Sequence, residues 1–214
     1  MKLTLVGLPL GNIDDISIRA VKTLDSASFI ICEDTRVFHK LWQKLMNIGV
    51  LNHKYVGKLV VINEFNEKFK AQEVASEIDE AVLVSDAGMP LVSDPGYRLV
   101  KTVIEKGGLV TTVPGPTAAM SALAISGLSA DKVLFLGFLP KKQSKRKEIW
   151  EMVKTLKGVT VVLYESPRRV KETVKEIGCD FVIVRELTKE HETVLRNEVP
   201  ENIKGEVVVL FRIK

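Results

Sequence analysis

Short apolar runs rich in β-branched residues alternate with amphipathic stretches, and this alternation constrains the fold more than any other feature of the sequence. In the first half of the chain these runs cover residues 3–6, 29–32, 59–62, 81–84 and 109–113. Parallel strands need a long crossover, usually a helix, between them. The pattern therefore predicts βαβ units with buried, mostly parallel strands.

The residue composition of the chain changes after Pro114-Gly115-Pro116. Residues 117–125 are alanine-rich and apolar on nearly every face, which predicts a helix buried between two layers. A second series of apolar runs follows at residues 133–138, 159–164, 181–184 and 207–211. We therefore predict two α/β domains, residues 1–113 and 114–214.

Two segments between the runs show helical spacing. Tyr97, Val100 and Ile104 predict one helical face, which Gly107-Gly108 ends. Val170, Val174 and Ile177 predict a second face, between two strands of the C-terminal half.

Composition narrows the function classes only modestly. The 214 residues carry a net charge of +4, which permits an anionic partner without requiring one. Two isolated cysteines and three scattered histidines lack the spacing of a metal or redox motif, so we expect buried reduced thiols and no metal. The first apolar run is too short for a signal peptide or a membrane span, and we expect a cytoplasmic protein.

Four apolar runs end in acidic side chains. These are Glu33 with Asp34, Asp86, Glu165, and Glu186. Ligands of open α/β sheets bind outside the carboxyl ends of the strands, so the acids predict a ligand site at that edge. A carboxylate at such a position also suits capping of the next helix, and this alternative stays open for each one.

Residues 6–12 and 85–90 combine polar groups with glycine and proline, which let a ligand approach the main chain closely. The alternative is a pair of tight turns. The chain has no Gly-x-Gly-x-x-Gly or Walker loop, which argues against a nucleotide phosphate as the main ligand. A ligand held by backbone groups fits these loops better.

A basic segment follows residues 137–140. It contains Lys141, Lys142, Lys145, Arg146 and Lys147, and Arg168 and Arg169 add charge beside Glu165. The segment predicts phosphate contacts. A solvated loop or helix start is an equally good interpretation of the basic segment, and pairing with neighbouring acids is the alternative for the two later arginines.

The motifs occur in a characteristic order along nearly the whole chain. They are Pro9 with Gly11-Asn12, Glu33-Asp34-Thr35-Arg36, Val84-Ser85-Asp86-Ala87-Gly88, Ser93-Asp94-Pro95-Gly96, Pro114-Gly115-Pro116, Gly137-Phe138-Leu139-Pro140, Tyr164-Glu165-Ser166-Pro167-Arg168, Arg185-Glu186-Leu187-Thr188-Lys189 and Gly205-Glu206. In this combination the chain resembles the tetrapyrrole methylase superfamily. Within it the chain is similar to the ribosomal RNA small subunit methyltransferase I family, which methylates a cytidine ribose 2′-hydroxyl of 16S rRNA.

The resemblance implies a mostly parallel N-terminal sheet, a mixed C-terminal sheet, a homodimer, and S-adenosylmethionine in a cleft between the domains. By position, the implied cofactor contacts are Pro9, Leu10, Asp86, Ala87, Gly88, Met89, Thr117, Ala118, Tyr164 and Leu187. The implied RNA contacts are Lys141, Lys142, Lys145, Arg146, Lys147, Arg168 and Arg169. For catalysis we consider Glu33, Asp34 and Glu165 as the base, and Arg36 as a group that orients a phosphate or an acid.

The chain departs from the family pattern at several positions. Met89 stands where threonine is usual, and Leu8 where a small or hydroxyl residue is common. Asn63 and Phe65 occupy places where relatives often carry histidine, so a histidine base there is excluded. We also expect that the family's usual helical C-terminal extension is absent.

Two other functions fit the residues. One keeps the fold and the cofactor but methylates a small molecule such as a tetrapyrrole; the Glu33-Asp34-Thr35-Arg36 motif argues against it. The other is a non-catalytic RNA-binding or assembly protein, which the intact loops around Asp86 and Gly88 argue against. Cofactor binding would distinguish the non-catalytic protein from the two methyltransferases. RNA binding that weakens steeply with salt would distinguish an rRNA methyltransferase from a small-molecule methyltransferase.

Overall fold

The computed structural model describes residues 1–214 and separates them into two units, Met1–Thr117 and Ala118–Lys214. The boundary thus falls four residues after the predicted one, because Pro114-Gly115-Pro116 belongs with the first unit. No helix in either unit is long and apolar enough to cross a membrane.

A five-stranded sheet with helices between its strands forms the first unit. In chain order the elements are β1 (Lys2–Val6), a 3-10 turn (Ile13–Asp15), α1 (Ile18–Ser26), β2 (Phe29–Cys32), α2 (Thr35–Asn47), β3 (Lys58–Val61), α3 (Glu67–Ser76), β4 (Glu80–Leu83), α4 (Tyr97–Glu105) and β5 (Leu109–Val113). The strand order is β3-β2-β4-β1-β5, and every pair is parallel. All five predicted strands are confirmed to within one residue.

Both faces of this sheet are covered, which explains why its strands are continuous apolar runs. On one face α3 and α4 pack through Val74 and Leu99 against Leu83 of β4. On the other face α1 and α2 pack against Ile30 of β2, with Trp42 of α2 in that core. The first two helices therefore cover one face and the last two cover the other, as in doubly wound folds.

The predicted face of α4 is wrong. Tyr97 is 65% exposed and Ile104 is 57% exposed, whereas Leu99 and Val103 are fully buried. This helix carries apolar residues on two sides, and Val100 lies partly buried against the core. Packing against α3 and the sheet selects the Leu99 side, a choice that helical spacing alone does not make.

The second unit also contains a five-stranded sheet. Its elements are α5 (Ala118–Ser126), β6 (Val133–Phe138), α6 (Gln143–Lys154), β7 (Thr160–Glu165), α7 (Val170–Ile177), β8 (Phe181–Arg185), β9 (Thr193–Arg196) and β10 (Val207–Arg212). The order is β6-β7-β10-β8-β9; only β6 and β7 pair in parallel, so the sheet is mixed as expected.

The helices of this unit agree in part with the sequence. Val170 of α7 is buried, and Val174 and Ile177 pack against the same core, which confirms the predicted face. The prediction for α5 is only half right, since Met120 and Ile125 are 47% and 40% exposed. One strand, β9, was not predicted from the sequence.

Candidate active site

Two loops that leave the carboxyl edge of the first sheet are joined by a pair of backbone hydrogen bonds. The Leu8 N–H donates to the Gly88 carbonyl at 2.8 Å, and the Gly88 N–H donates to the Leu8 carbonyl at 3.0 Å. The loops follow β1 and β4, which are neighbouring parallel strands, so they begin side by side. The structure therefore brings the two loops predicted to hold the cofactor into direct contact.

The loop after β5 joins the same assembly. The Gly7 N–H donates to the Val113 carbonyl at 3.0 Å. A Cβ atom on Gly7 would lie 2.5 Å from Gly115 Cα, so only glycine permits this approach of the two backbones. The Met89 sulfur accepts a hydrogen bond from the Gly115 N–H at 3.1 Å. We call the loops after β1, β4 and β5 the loop assembly.

The loop assembly presents groups of mixed character. Ser85 is buried, and its hydroxyl donates to the Ala87 carbonyl at 3.0 Å, which shapes the turn. Gly88 has a φ of +73°, and a Cβ atom there would lie 3.1 Å from Leu10. The exposed Asp86 carboxylate can accept hydrogen bonds from hydroxyl or ammonium groups, while Leu10 offers apolar surface. Such a surface suits a ligand that has both polar and apolar parts.

Asp34 is the N-cap residue of helix α2, and its carboxylate forms an ion pair with Arg36. Its Oδ1 accepts from the Arg36 backbone N–H at 2.8 Å, and the Arg36 guanidinium pairs with Oδ2 at 2.5 Å. The hydrogen bonds from Arg36 lower the pKa of Asp34 to about 2. A carboxylate with so low a pKa is a weak proton acceptor at neutral pH, which removes Asp34 from the set of good bases.

Glu33 differs from its neighbour. Burial raises its pKa from 4.5 to about 7, and the charges of Asp86, Asp94, Glu64 and Asp34 act in the same direction. A general base works best when its pKa lies near the operating pH. Among the predicted catalytic carboxylates, Glu33 therefore has the properties that proton abstraction requires.

The electrostatics also connect Asp86 with the acids after β2. Partial desolvation by neighbouring groups and the Asp34 charge raise the pKa of Asp86 although its side chain is exposed, while a hydrogen bond from the Asp34 backbone lowers it. Cys32, at the end of β2, is buried as predicted, and burial raises its pKa to about 12. The expectation for Cys179 is wrong, because this thiol is exposed.

In the second unit, the assignment of Glu165 as a base needs correction. Its side chain is fully buried and accepts hydrogen bonds from the Ser166 N–H at 2.8 Å and the Thr173 hydroxyl at 2.7 Å. It also pairs with Arg169 at 2.8 Å and lies 3.7 Å from Arg146. Its oxygens are thus occupied inside the unit, and Glu165 has a structural role.

Arg146 also needs correction as an RNA contact. It is 1% exposed, donates to the Thr173 hydroxyl at 3.0 Å and forms an ion pair with Glu176. Trp150, one turn later in α6, is buried and donates to the same glutamate at 2.8 Å. Arg146 therefore lies on the core side of α6, where a phosphate cannot reach it.

The other cations of the predicted RNA surface divide into two groups. Arg169 donates to the Leu139 carbonyl at 3.1 Å and to the Ser166 hydroxyl at 3.3 Å, which occupies it within the unit. The remaining five side chains are exposed. They are Lys141, Lys142, Lys145, Lys147 and Arg168.

The other predicted residues of the second unit lie at strand ends. The Tyr164 hydroxyl accepts from the Ala119 N–H at 3.2 Å, which joins β7 to the first turn of α5 beside Ala118. Leu187 is buried just after β8. Glu186 accepts from the Glu206 N–H at 2.8 Å and pairs with Lys189 at 3.3 Å, so it is a structural carboxylate.

No group of three or more His, Cys, Asp or Glu side chains is placed to hold a metal ion. A cavity of about 600 Å³ lies along the amino-terminal half of β1 and β4, where Lys2, Arg19 and Glu80 line it. None of the predicted site residues borders this cavity.

Comparisons with known proteins agree with this geometry. Residues 2–202 match the family model of the Tetrapyrrole (Corrin/Porphyrin) Methylases. Two relatives named Ribosomal RNA small subunit methyltransferase I come from Thermotoga maritima and Halalkalibacterium halodurans. The first is 40% identical, covering 98% of this chain and 97% of that protein. The second is 39% identical, covering 97% of this chain and 74% of that protein. The chain therefore belongs to the ribosomal RNA small subunit methyltransferase I family of tetrapyrrole methylases.

Solved structures with low sequence identity confirm the fold. The methyltransferase CobJ matches with a TM-score of 0.68 and 18% identity, covering 99% of this chain and 93% of that one. Uroporphyrin III C-methyl transferase from Thermus thermophilus matches with a TM-score of 0.64 and 16% identity, covering 100% and 98%. Membership of the methylase family makes the chain an S-adenosylmethionine-dependent methyltransferase, as predicted.

Proposed function

We propose that this enzyme transfers a methyl group to the ribose 2′-hydroxyl of a cytidine in 16S rRNA. The observation that carries the proposal is Glu33, a half-buried carboxylate with a pKa of about 7 that lies in the electrostatic field of Asp86. A ribose hydroxyl is a poor nucleophile and benefits from a base, which contributes about 10²–10⁴-fold in rate. The names of the relatives support the choice of rRNA as substrate.

We assign cofactor binding to the loop assembly. S-adenosylmethionine supplies an electrophilic methyl group on a sulfonium. Asp86 accepts hydrogen bonds from its polar groups, the backbone of Ala87 and Gly88 provides close main-chain contacts, and Leu10 supplies apolar surface next to Pro9, which is buried. Met89 holds the assembly together through Gly115. Contacts from Thr117, Ala118, Tyr164 and Leu187 remain predictions.

Glu33 removes the proton from the ribose hydroxyl while the site aligns that oxygen with the methyl carbon. Alignment of reacting groups is worth about 7–11 kcal/mol in ideal cases. Arg36 is 85% exposed and is held by Asp34, so it is available to orient a phosphate of the bound RNA. The role of Asp34 is therefore to position Arg36 and the start of α2.

RNA binding in the second unit rests on the exposed cations. Lys141, Lys142, Lys145, Lys147 and Arg168 are the residues we assign to phosphate contacts. Each such contact releases counterions from the nucleic acid, so binding weakens as salt rises. We further propose that the enzyme is a homodimer and acts in the cytoplasm.

The small-molecule alternative receives less support. Its strongest point is the fold shared with uroporphyrin III C-methyl transferase, but that protein is only 16% identical. A relative from Escherichia coli O157:H7 that is named for rRNA is 34% identical, covering 98% of this chain and 77% of that protein. We therefore prefer the rRNA substrate.

Mapping ribose methylation along small-subunit rRNA tests the proposal. Cells with and without the gene are compared, and the purified enzyme is then offered naked RNA and assembled subunits. We expect one cytidine to lose its 2′-O-methyl group in the deletion and to regain it in vitro. Identical methylation maps from the two strains would contradict the proposed substrate.

A further inference from the structure

The Arg169 side chain, which is 23% exposed, holds three groups at once. Its guanidinium pairs with the Glu165 carboxylate at 2.8 Å. It also donates to the Leu139 carbonyl at 3.1 Å and to the Ser166 hydroxyl at 3.3 Å. Glu165 and Ser166 are close to Arg169 in the chain, whereas Leu139 is 30 residues away. The bond to Leu139 therefore joins two separate segments of the second unit.

Leu139 begins the turn that connects β6 to α6 and consists of residues 139–142. The Leu139 side chain is buried in the core of the unit. At the other end of the turn, the Lys142 carbonyl accepts from the Arg146 N–H at 3.1 Å, which starts the helix. Lys141 and Lys142 are exposed. The turn is thus anchored at both ends and presents two lysines to solvent between them.

The partner on the other side of Arg169 is itself fixed. Glu165 is fully buried and accepts from the Ser166 N–H at 2.8 Å and from the Thr173 hydroxyl at 2.7 Å. A guanidinium is planar and carries its donors in a rigid fork, so anchoring one edge of it determines where the other edge points. The carbonyl of Leu139 is therefore held by a group with little freedom to move.

The segment that Arg169 holds is strongly cationic. Residues 139–147 contain five lysines or arginines and no acid. Two carboxylates approach this segment from elsewhere in the unit, those of Glu165 and Glu176, and both form ion pairs with the buried Arg146. The exposed lysines of the segment therefore have no carboxylate among them, which suits contacts with phosphates.

We propose that Arg169 is a positioning residue for RNA binding, because its hydrogen bond to the Leu139 carbonyl fixes the turn that presents Lys141 and Lys142 to phosphates. The proposal rests on the proposed function, which assigns these two lysines to phosphate contacts. Holding the lysines in place before RNA arrives reduces the entropy that binding costs. Arg169 acts through the lysines and does not contact the RNA.

Direct contact of Arg169 with a phosphate is the competing role. All three nitrogen atoms of its guanidinium already have partners: Nε donates to Ser166, Nη1 donates to Leu139, and Nη2 pairs with Glu165. A phosphate would have to displace one of these partners. We therefore favour the indirect role, and a substitution that conserves charge distinguishes the two.

Arg169→Lys keeps the positive charge beside Glu165 but removes the fork that reaches Leu139. Fluorescence anisotropy with a single-stranded fragment of small-subunit rRNA measures its affinity. We expect binding to weaken about twofold to tenfold, the range that corresponds to one net hydrogen bond. The slope of log affinity against log salt should fall by about 0.7 for each lysine that loses its phosphate. Wild-type affinity and slope would overturn the proposal, because a direct contact tolerates lysine.

A double-mutant cycle tests whether Arg169 acts through the two lysines. Lys141→Ala combined with Lys142→Ala should weaken RNA binding, and adding Arg169→Lys to this background should cause no further loss. Additive losses would show that Arg169 contributes independently and would overturn the proposal. Wild-type affinity in the variant without the two lysines would also overturn it, since Arg169 would then have no contact to position.

Arg196→Lys is the matched control, because Arg196 also donates to backbone carbonyls of the second unit, those of Ile125 and Ser126. It should bind RNA as the wild type does. Hydrogen exchange at the amides of Lys141 and Lys142 should accelerate in Arg169→Lys and stay unchanged in Arg196→Lys. Urea denaturation defines a temperature at which both variants are folded, and unchanged exchange in Arg169→Lys would contradict the proposal.

Methylation assays distinguish failure of this proposal from failure of the proposed function. In Arg169→Lys the KM for RNA should rise, while kcat at saturating RNA and the affinity for S-adenosylmethionine stay at wild-type values. If the wild type methylates rRNA and Arg169→Lys does so equally well at limiting RNA, the positioning role alone fails. If the double-mutant cycle gives the expected result but the wild type methylates no ribose, the proposed function alone fails.

Discussion

The sulfur of Met89 accepts a hydrogen bond from the backbone N–H of Gly115 at 3.1 Å, which ties the loop after β4 to the loop after β5. The family resemblance leads us to expect threonine at this position, and in this chain the thioether sulfur of Met89 is the acceptor. The contact matters for the proposed cofactor site because both loops contribute to it.

Met89→Leu tests this contact. Leucine keeps most of the side-chain volume but removes the acceptor, and a net hydrogen bond is worth about 0.5–1.5 kcal/mol. We expect affinity for S-adenosylmethionine to fall about twofold to tenfold, as measured by titration calorimetry. Met152→Leu is the control, because Met152 is 48% exposed on α6. Equal affinity in Met89→Leu and wild type would show that the hydrogen bond is dispensable.

Gly7→Ala tests the close approach of the loops after β1 and β5. The added Cβ would lie 2.5 Å from Gly115 Cα. Because Gly115 Cα is a backbone atom, it cannot rotate away as a side chain can, so the two loops must separate. We expect a loss of about 1–3 kcal/mol in the free energy of unfolding, together with strongly reduced cofactor affinity. Urea denaturation and calorimetry measure the two effects.

The control for this substitution is Gly107→Ala. Gly107 has a φ of +76° and nothing within 4 Å of a new Cβ, so alanine there strains the backbone without moving the loop assembly. This variant should lose stability and keep the wild-type cofactor affinity. Cofactor affinity that falls equally in both variants would refute the specific role of the loop contact.

Elements whose position depends on the local residue pattern are predicted well from the sequence, whereas features that depend on packing are not. Continuous apolar runs locate nine of the ten strands, and six of these nine are mostly buried: β1, β2, β4, β7, β8 and β10. Strand β9, Thr193–Arg196, gives a weak signal because only two of its four residues, Val194 and Leu195, are apolar. The face of α4 was mistaken because Leu99 and Tyr97 lie on different apolar sides, and only packing decides between them.

The candidate site shows the same limit. Strand-end acids and glycine loops indicate the carboxyl edge of the first sheet, since parallel strands place those ends together. Charge alone does not reveal which side of α6 faces the core. The sequence therefore does not distinguish the buried Arg146 from the exposed lysines next to it. Likewise, the position of Glu165 after a strand does not reveal that Thr173 and Arg169 occupy its oxygens.

Single-turnover methyl transfer should depend on pH through Glu33. Burial and the surrounding carboxylates raise its pKa to about 7, so the ionised form that accepts a proton becomes dominant only above that pH. The rate should rise with pH and level off above a midpoint near 7. Glu33→Gln should lose this dependence and react about 10²–10⁴-fold more slowly. An amide variant with the wild-type rate would exclude Glu33 as the base.

The folding stability of the protein should also depend on pH through Glu33, and it should decrease as the pH rises. The pKa of Glu33 rises from 4.5 to about 7 on folding, so between these values the unfolded chain binds fewer protons than the folded one. The stabilising contribution is complete below pH 4.5 and is lost as the pH rises toward 7. Glu33→Gln should therefore raise Tm relative to wild type at pH 8, with a smaller difference at low pH.

Glu73→Gln provides the matched control for both pH experiments, because Glu73 is an exposed carboxylate on α3. It should keep the wild-type rate and the wild-type pH profile. A Tm difference for Glu33→Gln that does not change with pH would contradict the raised pKa, even if the rate falls.

The neighbouring residues Lys145 and Arg146 should respond to substitution in opposite ways. Arg146 is buried beside Glu165 and Glu176, and removal of one partner of a buried ion pair costs about 3–5 kcal/mol. Arg146→Ala should therefore unfold at much lower urea concentration than wild type. Lys145 is exposed on the same helix, so Lys145→Ala should keep the wild-type midpoint.

The salt dependence of RNA affinity should also distinguish Lys145 from Arg146. If Lys145 contacts a phosphate, Lys145→Ala lowers the slope of log affinity against log salt by about 0.7 for single-stranded RNA. Arg146→Met removes the buried cation and should leave that slope unchanged at a temperature where the variant is folded. A reduced slope in Arg146→Met, with none in Lys145→Ala, would reverse the assignment of these two residues.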